Sequence, residues 1–333
     1  MSERVRWGVL STAKIGLQKV IPAMQKADNV EVVAIASRDE AKAHEAAERL
    51  HLPRWFGSYE ELLASPDVDA VYIPLPNHLH VPWSVRAIEA GKHVLCEKPI
   101  GLTAHEADQV QAAADARPEL KVMEAFMYRF HPQWQAARGW IEAGEIGELR
   151  HLHAHFAYYN VNPDDVRNRP EIGGGGLLDI GCYDVSVARY LFGREPERLV
   201  ATLETDPDFG TDRLVSAILD FGGGATATVT SATQLEPFQR VHAFGGKGRI
   251  EIEIPFNAPP RGEVQLHHRH GLEAGTVSFR DVDQYTLQGE AFSDAVLRDE
   301  PVPTPLSDAV ANMRVLDAIR ASAAADAWVE IGG

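Results

Sequence analysis

The sequence predicts two successive architectures: an α/β region on a parallel sheet over residues 1–125, and an α+β region with an open, mostly antiparallel sheet over 126–333. Three observations predict them. The first region alternates short apolar runs with longer amphipathic segments, the texture of βαβ units. The second alternates apolar and polar residues along its runs, as a sheet with one wet face does. A chain of 333 residues, 45% of them apolar, is also long enough to divide into two cores.

In the first region strands are predicted at Val5–Leu10, Val30–Ala36, 70–74, His93–Cys96 and 121–125. Helical periodicity lies between them, over 15–26, Glu40–Leu50, Tyr59–Ala64, 81–90 and 104–116, with Ser58 and Thr103 placed as N-caps. A linking helix over 132–143 leads into the second region, whose predicted strands are Leu149–Tyr159, 214–221, 225–233, 241–244 and 249–254. Gly222-Gly223-Gly224 and Gly245-Gly246-Lys247-Gly248 fall between such runs and read as hairpin turns rather than phosphate loops. An apolar helical stretch over 309–324 is expected to pack back on one of the two domains.

Composition narrows the function classes. A net charge of −16 repels phosphate backbones, so neither nucleic acid nor an anionic membrane is expected as a partner. No run of 18 apolar residues is present to span a bilayer, and Met1-Ser2-Glu3 leads straight into the first strand, leaving no room for a signal peptide. Cys96 and Cys182 cannot make a disulfide scaffold, and a reducing, cytoplasmic compartment is expected.

The first strand runs into Ser11-Thr12-Ala13-Lys14-Ile15-Gly16, which opens a helix. A dinucleotide fold needs small residues at that turn, because backbone N–H groups must approach a pyrophosphate at the helix N-terminus. Only the last glycine of G-x-G-x-x-G is present, and the hydroxyls of Ser11 and Thr12 add donors of their own. Ser37 and Arg38 stand at the tip of the second strand, with Lys42 one helical turn further on. A carboxylate at that tip would accept from a ribose 2′-hydroxyl, whereas arginine suits a 2′-phosphate, so NADP is expected. NAD stays open through Asp39, which is placed either to point inward or to cap the next helix.

Two more segments leave parallel strands at their carboxyl ends, where ligands of open α/β sheets bind. Leu75-Pro76-Asn77-His78-Leu79-His80 follows the third strand, and Glu97-Lys98-Pro99 follows the fourth. Leu75, Pro76, Asn77, His80 and Glu97 are therefore cofactor candidates, and Lys98 is a candidate for both binding and chemistry. The Lys98-Pro99 bond is a candidate for the cis form.

These segments, with Gly174-Gly175-Gly176-Leu177-Leu178-Asp179-Ile180-Gly181-Cys182-Tyr183, resemble the Gfo/Idh/MocA oxidoreductases over nearly the whole chain. The resemblance implies a Rossmann domain followed by a substrate-binding and oligomerisation domain, with Lys98, Asp179 and position 183 around a nicotinamide. Tyr183 stands where many members carry histidine. The Gly181-Cys182-Tyr183 form, together with Met123 to Pro132, is most similar to the branch holding glucose–fructose oxidoreductase, NADP-linked xylose and glucose dehydrogenases and dihydrodiol dehydrogenase. In that branch Arg169 resembles a residue that approaches the cofactor. A homodimer or homotetramer is implied, since open sheets of this family commonly pack face to face.

Oxidising an alcohol removes the hydroxyl proton while hydride leaves the same carbon, so an acid/base is needed within hydrogen-bond reach. Tyr183 is the first choice, with the Lys98 ammonium stabilising its phenolate. Bringing a free phenol from its pKa of ~10 toward neutrality takes about 4 kcal/mol of such stabilisation. Asp179, four residues earlier, shares a face with Tyr183 if the segment is helical, and its charge would oppose the phenolate. The alternative, Asp179 as base and Tyr183 as donor, stays open.

His151, His153 and His155 alternate along one strand, and His267-His268-Arg269-His270 form a second cluster that reads as a loop. Neither has the cysteine or carboxylate neighbours of a zinc site, so no metal is expected. Arg129, His131, Tyr158, Tyr159 and Asn160 are substrate candidates, since aromatic faces and donors suit a sugar ring. The expected reaction is NADP-dependent oxidation of an aldose, xylose or glucose, at the anomeric carbon. The alternatives are oxidation of a trans-1,2-dihydrodiol, reduction of a keto-sugar and, in a different class, a dinucleotide-binding regulator without turnover.

Overall fold

The computed structural model describes residues 3–331; Met1, Ser2, Gly332 and Gly333 lie outside the described residues, as does the start of the segment on which the leader expectation rests. The chain forms two compact units. One takes the chain up to Met127 together with Asp283–Val310, and the other takes Tyr128–Val282 and the chain from Ala311 on. The units are therefore interleaved in sequence, whereas a single division at 125/126 was expected.

Among the described residues the first unit holds a six-stranded parallel sheet of β1 (Val5–Leu10), β2 (Val30–Ala36), β3 (Arg54–Phe56), β4 (Ala70–Ile73), β5 (His93–Cys96) and β6 (Val122–Glu124). Its spatial order is β3-β2-β1-β4-β5-β6, so the strand order reverses between β1 and β4, the place where open α/β sheets bind dinucleotides. Continuous apolar runs form the inner strands because helices cover both faces; Val71, Tyr72 and Ile73 of β4 are fully buried. The helices are α1 (Ile21–Met24), which continues a π-helical turn over Gly16–Val20, then α2 (Glu40–Leu50), α3 (Tyr59–Ala64), α4 (His80–Glu89) and α5 (Ala104–Asp115). Ser58 and Thr103 cap α3 and α5 by accepting the N–H groups of Glu61 and Glu106, both at 3.2 Å. The edge strand β3 was not expected, because it has three residues, two of them exposed, and no periodicity of its own.

In the second unit α6 (Pro132–Glu142), β7 (Leu149–Tyr159) and α7 (Cys182–Phe192) lead into β8 (Arg198–Thr205), β9 (Asp212–Asp220), β10 (Thr226–Ala232), β11 (Gln234–Gly245), β12 (Gly248–Ile252), β13 (Glu263–His270) and β14 (Glu273–Arg280). With β15 (Val329–Glu330) they make a nine-stranded sheet, antiparallel except where β10 pairs with β7. Both glycine runs are hairpin turns, joining β9 to β10 and β11 to β12.

Two readings are corrected. His267 to His270 belong to β13, not to a loop; Val264 and Leu266 supply the buried alternation, but β13 and β14 form a largely exposed hairpin with little apolar signal. The strand expected over 241–244 begins at Gln234, because a register shift between Gln234 and Phe238 breaks the period of two. The helix α8 (Gln284–Leu297) belongs to the first unit. There Ser293 accepts from Trp7 Nε1 at 3.1 Å, and Phe292 packs on the Trp7 ring at 5.2 Å. Asn29 Nδ2 also donates to Asp294 at 2.7 Å. The last helix, α9 (Leu306–Ala325), has its residues from Ala311 on in the second unit, where Asn312 Nδ2 donates to Cys182 O at 3.1 Å and Ser322 Oγ accepts the Ala201 N–H at 2.9 Å.

Candidate active site

In the first unit the candidate residues gather at the carboxyl ends of β1, β2, β4 and β5. The chain leaves β1 through Ser11, whose φ of 136° lies in a region that favours glycine. Serine thus keeps the backbone course of the first fingerprint glycine, and its Oγ accepts the Ala13 N–H at 3.0 Å. Thr12, Ala13, Lys14 and Ile15 remain partly or fully exposed where the helix begins, an arrangement that fits an anionic pyrophosphate. A Cβ on Gly16 would make only ordinary contact with Pro74, so sterics do not demand that last glycine.

At the tip of β2 the Ser37 hydroxyl accepts the Asp39 N–H at 3.2 Å, and Asp39 in turn caps α2 by accepting the Lys42 N–H at 3.3 Å. Lys42 Nζ lies 3.5 Å from the same carboxylate. Arg38 is exposed beside them. Tyr59, missed in the sequence as a mere helix start, faces this corner: burial raises its phenol, while the Arg38 charge and hydrogen bonding to Arg38 and Ser11 draw it back. The edge of Trp83 holds the Tyr59 ring at 4.8 Å.

Beyond β4, Leu75 is buried while Pro76, Asn77 and His78 are partly exposed. Beyond β5, the Lys98-Pro99 peptide is cis and Lys98 is partly buried. Glu97 accepts the Tyr72 hydroxyl at 2.5 Å, and Glu124 of β6, 2% exposed, accepts the Ile100 N–H at 2.7 Å. Burial first, then the Glu97 charge, drive the Tyr72 and Tyr285 phenols upward, so both stay neutral beside it, and Tyr72 is the donor to it. Tyr72, Glu124 and Tyr285 carried no sequence signal beyond sitting in apolar runs or a helix. The fold brings them under the Glu97-Lys98-Pro99 turn.

In the second unit the glycine run accommodates protein groups. Gly175 has a φ of 114°, and a Cβ on it would overlap Asp212 Oδ1 of β9; one on Gly174 would press on the Arg167 and Arg169 carbonyl oxygens. Asp212 Oδ2 accepts the Leu177 N–H at 2.6 Å and so anchors the π-helical turn Leu177–Gly181 that leads into α7. That turn carries Asp179, and α7 carries Tyr183. Asp179 Oδ2 accepts from the Tyr158 hydroxyl and from Arg167 Nε, each at 2.8 Å. Burial and the Asp179 charge push the Tyr158 phenol far up, and the same charge raises Arg167. Tyr183 is 5% exposed, its ring set among Phe256 at 5.2 Å, Tyr128 at 5.8 Å and Phe156 at 5.9 Å. Arg167 and Asp212 were missed, since neither lies in a recognisable motif.

The remaining candidates are dispersed within the unit. Arg169 pairs with Glu171 at 2.7 Å. Arg129 donates to Ser186 Oγ at 2.9 Å and lies over the Tyr190 ring. His131 is 1% exposed, caps α6 through Nδ1 by accepting the Gln133 N–H, and is pushed down to about 4 by burial, which leaves it no open edge for a sugar. Tyr159 is 62% exposed, and Asn160 uses its carbonyl oxygen to accept the Asn162 N–H. His151, His153 and His155 line one face of β7, where His151 and His153 meet Thr226 and Thr228 of β10. Among the described residues no group of three or more His, Cys, Asp or Glu side chains is placed to hold a metal ion, and no helix is long and apolar enough to cross a membrane.

Comparison with known proteins gives concordant results. Residues 5–126 match the family model for the oxidoreductase family with an NAD-binding Rossmann fold, and 134–251 match the GFO/IDH/MocA C-terminal domain. The chain is 45% identical over 329 residues to an uncharacterized oxidoreductase of Rhizobium meliloti, covering 97% of this chain and 98% of the relative. It is 41% identical over 328 residues to a D-xylose 1-dehydrogenase (NADP(+)) of Haloferax volcanii, covering 98% and 99%. The crystal structure of a 3-ketoreductase from Actinomadura kijaniata in complex with NADP and TDP-benzene superposes with a TM-score of 0.90 at 33% identity, covering 96% of this chain and 98% of that one.

Proposed function

Because this chain belongs to the Gfo/Idh/MocA family and is a sugar-related oxidoreductase, we propose that it oxidises an aldose of the xylose or glucose type at the anomeric carbon, with NADP as hydride acceptor. The observation that carries the reading is the full-length likeness to the NADP-linked D-xylose 1-dehydrogenase. The tip of β2 supports the cofactor choice: the Asp39 carboxylate is spent on capping α2, while Arg38 stands exposed beside the Ser37 hydroxyl. Cofactor binding is assigned to Ser11, Thr12, Ala13, Lys14, Ile15, Ser37, Arg38, Lys42, Leu75, Pro76, Asn77, Glu97, Lys98 and Arg169. A cytoplasmic homo-oligomer is the accompanying reading.

The bound dinucleotide supplies the acceptor for the hydride that leaves the anomeric carbon. The proton falls to the chain's own groups. Tyr183 is assigned to accept it from the sugar hydroxyl, and Lys98 is the other residue assigned to the chemistry. Asp179 is less suited to be the base, because its Oδ2 already accepts from Tyr158 and Arg167, bonds that keep the carboxylate in place. Its part is to orient. Arg167 also neutralises charge that would otherwise oppose the phenolate.

NADP and NAD titrations against a panel of aldoses, dihydrodiols and keto-sugars, followed by NADPH absorbance, test the proposal. Turnover of D-xylose or D-glucose with NADP is expected, and Lys98→Ala should lose at least about 100-fold in kcat, with NADPH binding weakened far less than that. A fully active Lys98→Ala variant sinks the assignment. The likeness to the 3-ketoreductase favours a second reading, reduction of a keto-sugar by the same residues, and activity confined to keto-sugars with NADPH would replace the first reading with the second.

A further inference from the structure

His80 begins α4 and is 1% exposed, in the first unit, behind the exposed candidates. Its Nδ1 lies 2.7 Å from Pro99 O and its Nε2 lies 2.7 Å from Leu75 O. The ring therefore spans the two segments that leave β4 and β5. Both ring nitrogens are engaged by protein carbonyls, which accept and cannot donate, so the imidazole has no edge left for a ligand. Burial, with Lys98 and His78 nearby, pushes its pKa down, while the two carbonyl contacts push it up; carbonyl oxygens at 2.7 Å from both nitrogens are satisfied together when each nitrogen carries a proton.

Pro99 is held from the other side as well. The next N–H, of Ile100, is taken by the buried Glu124 carboxylate. The Pro99–Ile100 peptide group is thus tied to two buried side chains, one from α4 and one from β6. A lysine on an unsupported turn would sample many positions, and a misplacement of about 1 Å can cost on the order of 100-fold in rate.

We infer that His80 is a positioning residue: it locks the Lys98-Pro99 turn to the Leu75-Pro76-Asn77 loop, and it does not itself touch the cofactor. The inference rests on the reading that Lys98 takes part in the chemistry. It goes beyond that reading by assigning the two ring nitrogens separate duties, Nδ1 to the lysine turn and Nε2 to the loop.

Three variants separate those duties. Asparagine places an amide N–H about where Nδ1 was, and glutamine places one about where Nε2 was, while alanine has neither. His80→Ala should lower kcat by about 30-fold and weaken NADPH binding by about 5-fold. His80→Asn should recover most of kcat, and His80→Gln should recover NADPH affinity without kcat. If His80→Ala fails to fold, the Asn and Gln variants alone carry the comparison. Equal kcat and equal NADPH affinity in the Asn and Gln variants overturn the inference, as do losses that merely follow Tm. If Lys98→Ala is inactive and the His80 variants match the wild type, the lock falls and the function stands. If the wild type turns over no member of the panel, the function falls, and NADPH titration of His80→Gln against His80→Asn still decides the lock.

Discussion

The parallel sheet of the first unit buries both faces, with Val71, Tyr72 and Ile73 of β4 all sealed, whereas β7 at the centre of the second sheet buries Leu152, Ala154 and Phe156 on one face and leaves His151, His153 and His155 half-exposed on the other. A sheet covered on both sides has no face on which side chains can meet a ligand, so the candidate chemistry of the first unit moves to strand ends: Ser11, Ser37, the loop from Leu75, and Lys98. In the second unit Asp179 and Tyr183 sit on a turn and helix laid against the apolar face, and the other candidates are dispersed. There the wet face is free to carry a polar ladder of histidines and threonines.

The largest expected effect tests how the first sheet is covered. The Trp7 face of β1 is closed by α8, which arrives from more than 280 residues further along the chain. Phe292→Ala should lower stability in equilibrium urea unfolding by roughly 4 kcal/mol, the cost of truncating a fully buried phenylalanine against a rigid neighbour. A loss below about 1 kcal/mol would mean that α8 is not part of that cover.

A smaller but more local effect is expected on the apolar side of the second sheet. Gly175→Ala forces a side chain into a backbone conformation that disfavours it and onto Asp212, for a cost of about 2–3 kcal/mol. Because Asp212 anchors the turn bearing Asp179, kcat should also fall about 10-fold or more while NADPH affinity holds. Unchanged kcat would separate the glycine run from the site.

The smallest effect belongs to the wet face. His153→Asn keeps a hydrogen-bonding group opposite Thr228 and should change stability by less than about 0.5 kcal/mol. A larger loss that grows as the protein is diluted would place this face in a contact between subunits.

Much of the first unit was legible in the sequence. Buried parallel strands announce themselves as apolar runs, and β1, β2 and β5 have the expected bounds. The caps Ser58 and Thr103 were equally plain, because a cap acts on N–H groups two or three residues away. Asp39 was ambiguous for the same reason. Its two placements differ only in side-chain direction, and α2 takes it as a cap. The exposed hairpin β13–β14 was hidden because seven of its 16 strand positions carry charge or imidazole. In the site, Lys98, Asp179 and Tyr183 stood out by motif, but their supports did not. Glu124, Tyr72, Arg167 and Asp212 are single polar or aromatic residues whose partners lie between 12 and 35 positions away.

By itself the sequence determined the two architectures, the strand-end loops and the identity of the residues proposed for chemistry, because periodicity, capping and short motifs are local and each repeats its signal within a few residues. Tertiary structure decided which unit receives α8, where the histidines of β13 lie, and what surrounds each candidate group: His80 and Glu124 around the Lys98 turn, Arg167 and Asp212 around the Asp179 turn. Those choices depend on which buried polar groups find partners across distant segments, and a buried donor or acceptor is satisfied by whatever the folded chain brings within about 3 Å, however far away it lies in sequence.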